Sequence, residues 1–316
     1  MGPGTLCAQS PAPVALFVYA RPDHTARTLA ALSRSTLCAR SEIYIFCDGH
    51  KGSSDLTPVT KVRNLVENYN AFGRKTVMMR PKNIGLARSI IDGVSTVIAA
   101  RGSVVVIEDD IIVGTECLEF FNEALAAYRD EARVMHISGY VPGSVARPSK
   151  DGTFLFRIPF CWGWATWEDR WRRFCPDGQV LLRQLEAQNL VNRFDIEGTA
   201  GFSRMLKKQV AGEIDSWFVR WYATTLLASG LAIYPWNSLV TNIGNDGSGT
   251  NCRETDVYAT QISQKPQNLV RGPISEDSEA VAAFRELYKK VYTSRLEKLL
   301  HSLGAALGFS RSKPRS

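Results

Sequence analysis

The chain has 316 residues, of which 45% are hydrophobic and 22% charged, with a net charge of +7. That length is ample for one large core, and no stretch reaches the roughly 18 consecutive apolar residues of a membrane-spanning helix. The basic residues are not interleaved with aromatics, which argues against nucleic acid as a partner; a mild positive excess suits an anionic substrate or an anionic membrane surface.

Residues 1–12, rich in Gly, Pro, Ala and Ser, lack the charged start and long apolar run of a signal peptide or anchor and are expected to be disordered. The seven cysteines are an odd number without any CxxC pair, so a zinc site is not expected. Free thiols in a reducing cytoplasm are the plain reading.

In chain order, the apolar run Val14–Tyr19 predicts a strand, and Pro22 and Asp23 open a helix to about Leu32, with Asp23 as its cap. Glu42–Cys47 is the next strand, ended by Asp48-Gly49. Thr57-Pro58 opens a helix from Val59 to Tyr69 whose Val62, Leu65 and Val66 share a face. Lys75–Met79 is a strand, residues 86–100 a helix, and Ser103–Glu108 a strand apolar enough to be buried on both faces. Strand and helix alternate four times, which means βαβ units and a mostly parallel sheet. In such sheets ligands bind beyond the carboxyl ends of the strands. Arg21, Asp48, Asn83 and the acids of Glu108-Asp109-Asp110 all follow strands or precede helices there, so they are expected around one crevice.

Beyond the acids, helices are expected from Thr115 to Tyr128, over Phe202–Gln209 and over Asp215–Ser229, and strands over Val134–Ser138, Thr153–Ile158 and Leu231–Tyr234. Trp162, Trp164 and Trp167 fall at spacings that fit no single regular face. Asn242–Asn251 is a polar, Gly-rich loop, and the tail from Ser278 is amphipathic, with Phe284, Leu287, Tyr288, Val291 and Leu299 along one side. Such a tail packs on its own domain or, in the sharper reading, touches a membrane surface.

Three consecutive carboxylates closing a buried strand are expensive to desolvate unless a positive partner meets them. A divalent metal carrying a diphosphate suits them, and Mg2+ or Mn2+ needs only one or two protein carboxylates among its oxygen ligands. Asp110, the last acid before the chain turns, is the expected metal ligand, with Glu108 and Asp109 positioning the donor. An aspartyl phosphotransferase would need its two Asp one residue apart, whereas Asp109 and Asp110 are adjacent. A nucleotidyltransferase shares the sheet and metal logic, but Ala20-Arg21-Pro22-Asp23 is no phosphate loop. A non-catalytic carbohydrate-binding or scaffold protein is the remaining alternative.

The set FVYARPDH (Phe17–His24), FCDG (Phe46–Gly49), NIGLARS (Asn83–Ser89) and VIEDDI (Val106–Ile111) resembles the start of a family-2-like GT-A glycosyltransferase. With FCWGWATW (Phe160–Trp167) and DSW (Asp215–Trp217), it is similar to the N-acetylglucosaminyltransferases that begin complex N-glycans, and nearer still to bacterial relatives from surface-polysaccharide clusters. The resemblance covers Pro13 to Cys252. It implies an α/β fold of GT-A (Rossmann-like) type, with a mostly parallel central sheet flanked by helices, over residues 13–256, followed at 257–316 by a linker and a helical C-terminal extension.

The resemblance further implies a metal-dependent transfer of a hexosyl or N-acetylhexosaminyl group, with inversion, from a UDP-linked nucleotide-sugar donor to a glycan or lipid-linked acceptor. Arg21, Asp48, Asn83 and Arg88 would lie at the nucleotide, Trp162, Gly163 and Trp164 at the donor or acceptor, and Asp110 at Mn2+ or Mg2+. Asp215 would be the general base, with Glu213 its rival. Some relatives add a late histidine to the metal; here only His301 follows, and Asp246 is the weak substitute. The expected location is cytoplasmic, peripheral at the inner face of the membrane.

Overall fold

The computed structural model describes residues 10–246, 256–263, 265 and 267–291. Its centre is an eight-stranded sheet built from β1 (Val14–Val18), β2 (Glu42–Cys47), β3 (Arg74–Met79), β4 (Ser103–Glu108), β6 (Val134–Ser138), β7 (Thr153–Phe156), β8 (Trp164–Trp167) and β9 (Leu231–Pro235), in the order β3-β2-β1-β4-β8-β6-β9-β7. β3, β2, β1 and β4 pair in parallel, β6 pairs with β9 in parallel, and β8 and β7 run the other way. The sheet is therefore mostly parallel and flanked by helices, the α/β architecture expected from the alternation of elements. β1, wholly buried, and β4, buried over Val104–Ile107, lie side by side at its centre, as continuous apolar runs require.

The crossovers are α1 (Pro22–Ser33), α2 (Ser53–Asn68) and α3 (Leu86–Arg101). α1 and α2 bury Leu29, Leu32, Val62 and Val66 on one side of the sheet, with α4 (Cys117–Ala127) beside them. α3 covers the other side, where Ile90, Val94 and Val97 meet the stacked rings of Phe17 and Phe46. α9 (Trp217–Leu227) completes that side, laying Trp217 and Trp221 against Trp164 and Trp171. Short helices α5 (Glu168–Trp171), α6 (Gly178–Ala187), α7 (Val191–Phe194) and α8 (Phe202–Val210) fill the stretch before α9. A two-stranded ribbon, β5 (Ile111–Val113) with β10 (Val240–Asn242), stands at the exit of β4.

Several boundaries differ from the sequence expectation. α2 begins at Ser53, six residues before Val59, because Asp55 accepts the backbone N–H groups of Lys51 and Gly52 and so anchors an earlier turn; Pro58 lies inside the helix. α1 has Arg21 at its N-cap, with Pro22 and Asp23 in the first turn and no side-chain cap bond, so Asp23 is not the cap. The tryptophan stretch contains a strand, β8, with Trp164 and Trp167 in separate clusters of the core.

Contacts are also made across the expected limits at residues 12/13 and 256/257. Ala12 is buried and donates its N–H to Asn122 Oδ1 at 2.7 Å, so ordered structure starts ahead of residue 13. Beyond 256, Tyr140 donates to the Tyr258 carbonyl at 2.6 Å and Ser263 N–H donates to the Ser238 carbonyl at 2.8 Å. A helix α10, described over 278–291, sets Phe284 against Phe154, Phe156 and Phe160, and Leu287 and Tyr288 are buried with it. The apolar side expected to offer a membrane face is thus covered by the protein's own core as far as residue 291. Leu299 and His301 lie outside the described residues. Cys38, Cys47, Cys117, Cys161 and Cys175 are free thiols.

His136, on β6, is fully buried; Nε2 meets the Phe160 carbonyl at 2.9 Å while Nδ1 accepts from Trp221 Nε1 at 3.3 Å. That pair of bonds fixes the neutral Nε2–H tautomer, and burial pushes the imidazole down from 6.5 to about 3. A histidine held neutral contributes stability that is complete above its unfolded value and is lost as pH falls towards the folded one. Between pH 6.5 and 3 the loss from this group runs at about 1.4 kcal/mol per unit. Urea denaturation at about pH 7.5, 6 and 5 is expected to show a falling midpoint, with a shallower fall in His136→Asn.

Candidate active site

The carboxyl ends of β1, β2 and β4 converge, and the side chains there are tied to one another. Glu108 closes β4 opposite Phe17 and, by strand alternation, lies on the Val104 and Val106 side, the α3 side of the sheet. Asp109 turns back towards β1: its Oδ2 accepts the Tyr19 N–H at 3.1 Å, and its carbonyl accepts the Thr28 hydroxyl at 2.8 Å. Asp110 Oδ2 accepts from Arg21 Nη1 at 2.9 Å. The same guanidinium reaches His24 Nε2 at 2.9 Å and Asp246 Oδ1 at 3.3 Å, and His24 Nε2 is 3.1 Å from Asp246 Oδ2.

The strap that carries Asp246 leaves β10 and passes directly over Asp110. Ile243 N–H donates to the Asp110 carbonyl at 2.9 Å. A Cβ on Gly244 would stand 2.1 Å from Asp110 Oδ2 and 2.7 Å from Arg21 Nη1, so only glycine lets the backbone pass this close.

Charge is poorly balanced at this point. Burial, then Asp110 and Asp109, push the Glu108 carboxyl well above the ordinary range. Burial and Asp110 push Asp109 up to about 7, with the Tyr19 N–H and Arg21 opposing. Asp110 is raised by burial, and Arg21 and His24 pull it back. Three crowded acids answered chiefly by one guanidinium form an oxygen-rich, electron-rich donor set, and a hard divalent cation is the group that would relieve it. Among the described residues no cluster of three or more His, Cys, Asp or Glu forms a ready-made cage.

Asp48 is buried at the end of β2, and its oxygens accept backbone N–H groups from Gly49 (2.9 Å), Ile84 (3.1 and 3.2 Å) and Gly85 (3.1 Å). Asn83 Nδ2 donates to the Gly49 carbonyl at 2.9 Å. Together they clamp the exit of β2 to the start of α3. Asp215, on the far side of that start, is 61% exposed, accepts from Arg220 Nη2 at 3.3 Å, and has Oδ2 3.6 Å from where a Gly85 Cβ would be. Its rival Glu213 is tied to Lys208 at 2.8 Å.

The other expected residues divide. Gly163 lies at the crevice end of β8 with φ +63°, and a Cβ there would meet Val240 at 2.9 Å. Trp162 is half-buried, with its ring edge-on to Tyr140 and Tyr258. Trp164 is corrected: it is fully buried, stacked on His136 and on Trp217 at 5.1 Å each, and its ring supports the floor of the site without facing a ligand. Arg88 is 71% exposed on α3 with Nε 3.8 Å from Asp92, and no described contact joins it to the acids. His24 was missed by sequence reasoning, although its position one turn after Arg21 in a helix placed it on the same face.

No known family's sequence profile matches the chain, and no curated protein matches it. Among solved structures the chain has a likeness to mannosyltransferase PcManGT from Pyrobaculum calidifontis, determined in complex with GDP-Man and Mn2+, at 15% identity over 72% of this chain and 79% of that one, with a TM-score of 0.37. A second likeness is to S. aureus TarS, at 17% identity over 40% of this chain and 21% of that one, with a TM-score of 0.27. At those scores neither bears on what the chain does, and the functional reading rests on the residues themselves.

Asp48→Asn would turn an NH2 group towards backbone donors that now meet a carboxylate. The expected cost is about 1–3 kcal/mol of unfolding free energy by urea denaturation.

Proposed function

We propose that the chain is a metal-dependent glycosyltransferase of GT-A type that moves a sugar from a nucleotide-sugar donor to a hydroxyl of a glycan or lipid-linked acceptor. The observation that carries this reading is the half-buried acidic triplet at the carboxyl end of β4, in a mostly parallel sheet, where Arg21 meets Asp110 and the Tyr19 N–H meets Asp109. Ligands of such sheets sit there, and a metal-bound diphosphate supplies the charge those acids lack. The sequence resemblance points the same way. From it come the finer elements of the proposal: a UDP-linked donor, a hexosyl or N-acetylhexosaminyl group, inversion, and a place in surface-polysaccharide synthesis. A peripheral membrane contact through residues beyond 291 belongs with a lipid-linked acceptor. Among the described residues no helix is long and apolar enough to cross a membrane.

When bound, Mn2+ or Mg2+ acts as a Lewis acid towards the diphosphate as the glycosidic bond breaks. Asp110 would hold it. Asp109, braced by the Tyr19 N–H, and Glu108 position the donor. The clamp at the exit of β2, with Asp48 on the N–H groups of residues 84–85 and Asn83 on the Gly49 carbonyl, shapes the nucleotide side of the site. Gly163, at the crevice end of β8, takes a left-handed backbone and lets β8 pass close to Val240 beside the site. Asp215 is exposed enough to meet an acceptor, and Arg220 orients its carboxylate. It takes the proton of the acceptor hydroxyl as that oxygen attacks the anomeric carbon opposite the leaving diphosphate.

The test is incubation with Mn2+ and a panel of nucleotide sugars, reading release of the nucleoside diphosphate. Asp215→Asn is expected to lower turnover by about 10²–10⁴-fold with donor binding retained. Near-normal turnover in that variant would remove Asp215 from the role. Asp110→Asn is expected to abolish the response to Mn2+, and an Asp110→Asn protein as active as the wild type would sink the metal assignment.

A further inference from the structure

The carboxylate proposed to hold the metal already has a cation on it. Arg21 Nη1 sits 2.9 Å from Asp110 Oδ2, and Nη2 of the same group is shared between His24 and Asp246. The side chain is only 17% exposed, so this is a guanidinium gripped from several sides and not a passing surface contact. The strap at 243–246 lies across the pair, with Gly244 against both partners.

We infer that Arg21 and the divalent cation are alternative partners of Asp110, so that the metal is taken up only as the donor's diphosphate draws Arg21 away. This rests on the proposed glycosyl transfer for the identity of the diphosphate. A positive guanidinium this close to the carboxylate repels an arriving cation and occupies the oxygen it needs. A diphosphate offers the planar fork two oxygens in the geometry it binds best, so Arg21 has somewhere to go. Because Nη2 also holds Asp246, releasing Arg21 removes one tie on the strap, with His24 on Asp246 and the Ile243 N–H on the Asp110 carbonyl remaining, and so couples donor, metal and strap. Arg21 is therefore a positioning residue that sets the order of binding; His24 and Asp246 hold it in its resting place.

The test uses the full chain and Mn2+ alone, with free Mn2+ read by electron paramagnetic resonance. The wild type is expected to bind weakly. Arg21→Gln is expected to bind about tenfold more tightly, the scale of one lost charge-assisted bond, and Asp110→Asn in that background is expected to erase the gain. Arg21→Lys keeps a charge but cannot bridge two carboxylates, so its affinity should fall between the two. UDP or GDP should raise Mn2+ affinity in the wild type more than in Arg21→Gln.

Equal or weaker Mn2+ binding by an Arg21→Gln protein with a native circular dichroism spectrum overturns the inference. Should that variant not fold, an unchanged affinity in Arg21→Lys does the same. A wild type that transfers sugar while Arg21→Gln shows no gain leaves the functional reading standing and ends this one. A gain erased by Asp110→Asn, with no nucleotide sugar turned over, supports this inference and ends the other.

Discussion

Three carboxylates at the mouth of a strand buried on both faces are the constraint around which this half of the molecule is arranged. Ionised acids in such a place need hydrogen-bond donors and positive charge close by. The fold supplies donors: the Tyr19 N–H for Asp109 and the Arg21 guanidinium for Asp110. It supplies one strong cation where three acids stand, and burial, joined at Glu108 and Asp109 by their acidic neighbours, raises all three carboxyls. Residual charge of this kind costs the folded state and favours whatever cationic ligand relieves it, which is how a binding site can be written into a sheet edge.

The first half was legible because its signals are local. Each of β1, β2 and β4 is a continuous apolar run, each following helix shows its own periodicity, and the acids stand in sequence beside the strand that presents them. The roles that escaped are those set by partners far along the chain. Asp48 resembles a ligand group in isolation, but its oxygens meet N–H groups 36 and 37 residues away. Asp246 meets Arg21 across 225 residues, and nothing in its own loop announces it.

β8 was illegible for a different reason. Trp164–Trp167 is four residues long and buried throughout, so no alternation of apolar and polar side chains marks it as a strand. Its tryptophans serve opposite cores, Trp164 under the crevice and Trp167 with Nε1 on the Leu125 carbonyl. The resemblance set Trp162, Gly163 and Trp164 at the donor or acceptor; in the fold Trp164 is fully buried among other rings, and Gly163 stands at the β4-acid end of β8. The tail shows the same ambiguity resolved by packing. Its amphipathic pattern fitted either a membrane surface or a core, and as far as residue 291 the partner is the sheet's own aromatic layer.

The reversed strand β8 joins β4 on one side to β6 on the other, so ladder hydrogen bonding runs unbroken from β3 to β7. A sheet continuous across both halves has no hinge: the β3-to-β4 part and the β6-to-β7 part cannot rock apart as two jaws without tearing strand pairs. Movement must then come from segments above the sheet; among the described residues the strap after β10 is seated on the acids. Short loops on such a rigid floor can change in length and sequence while leaving the floor alone.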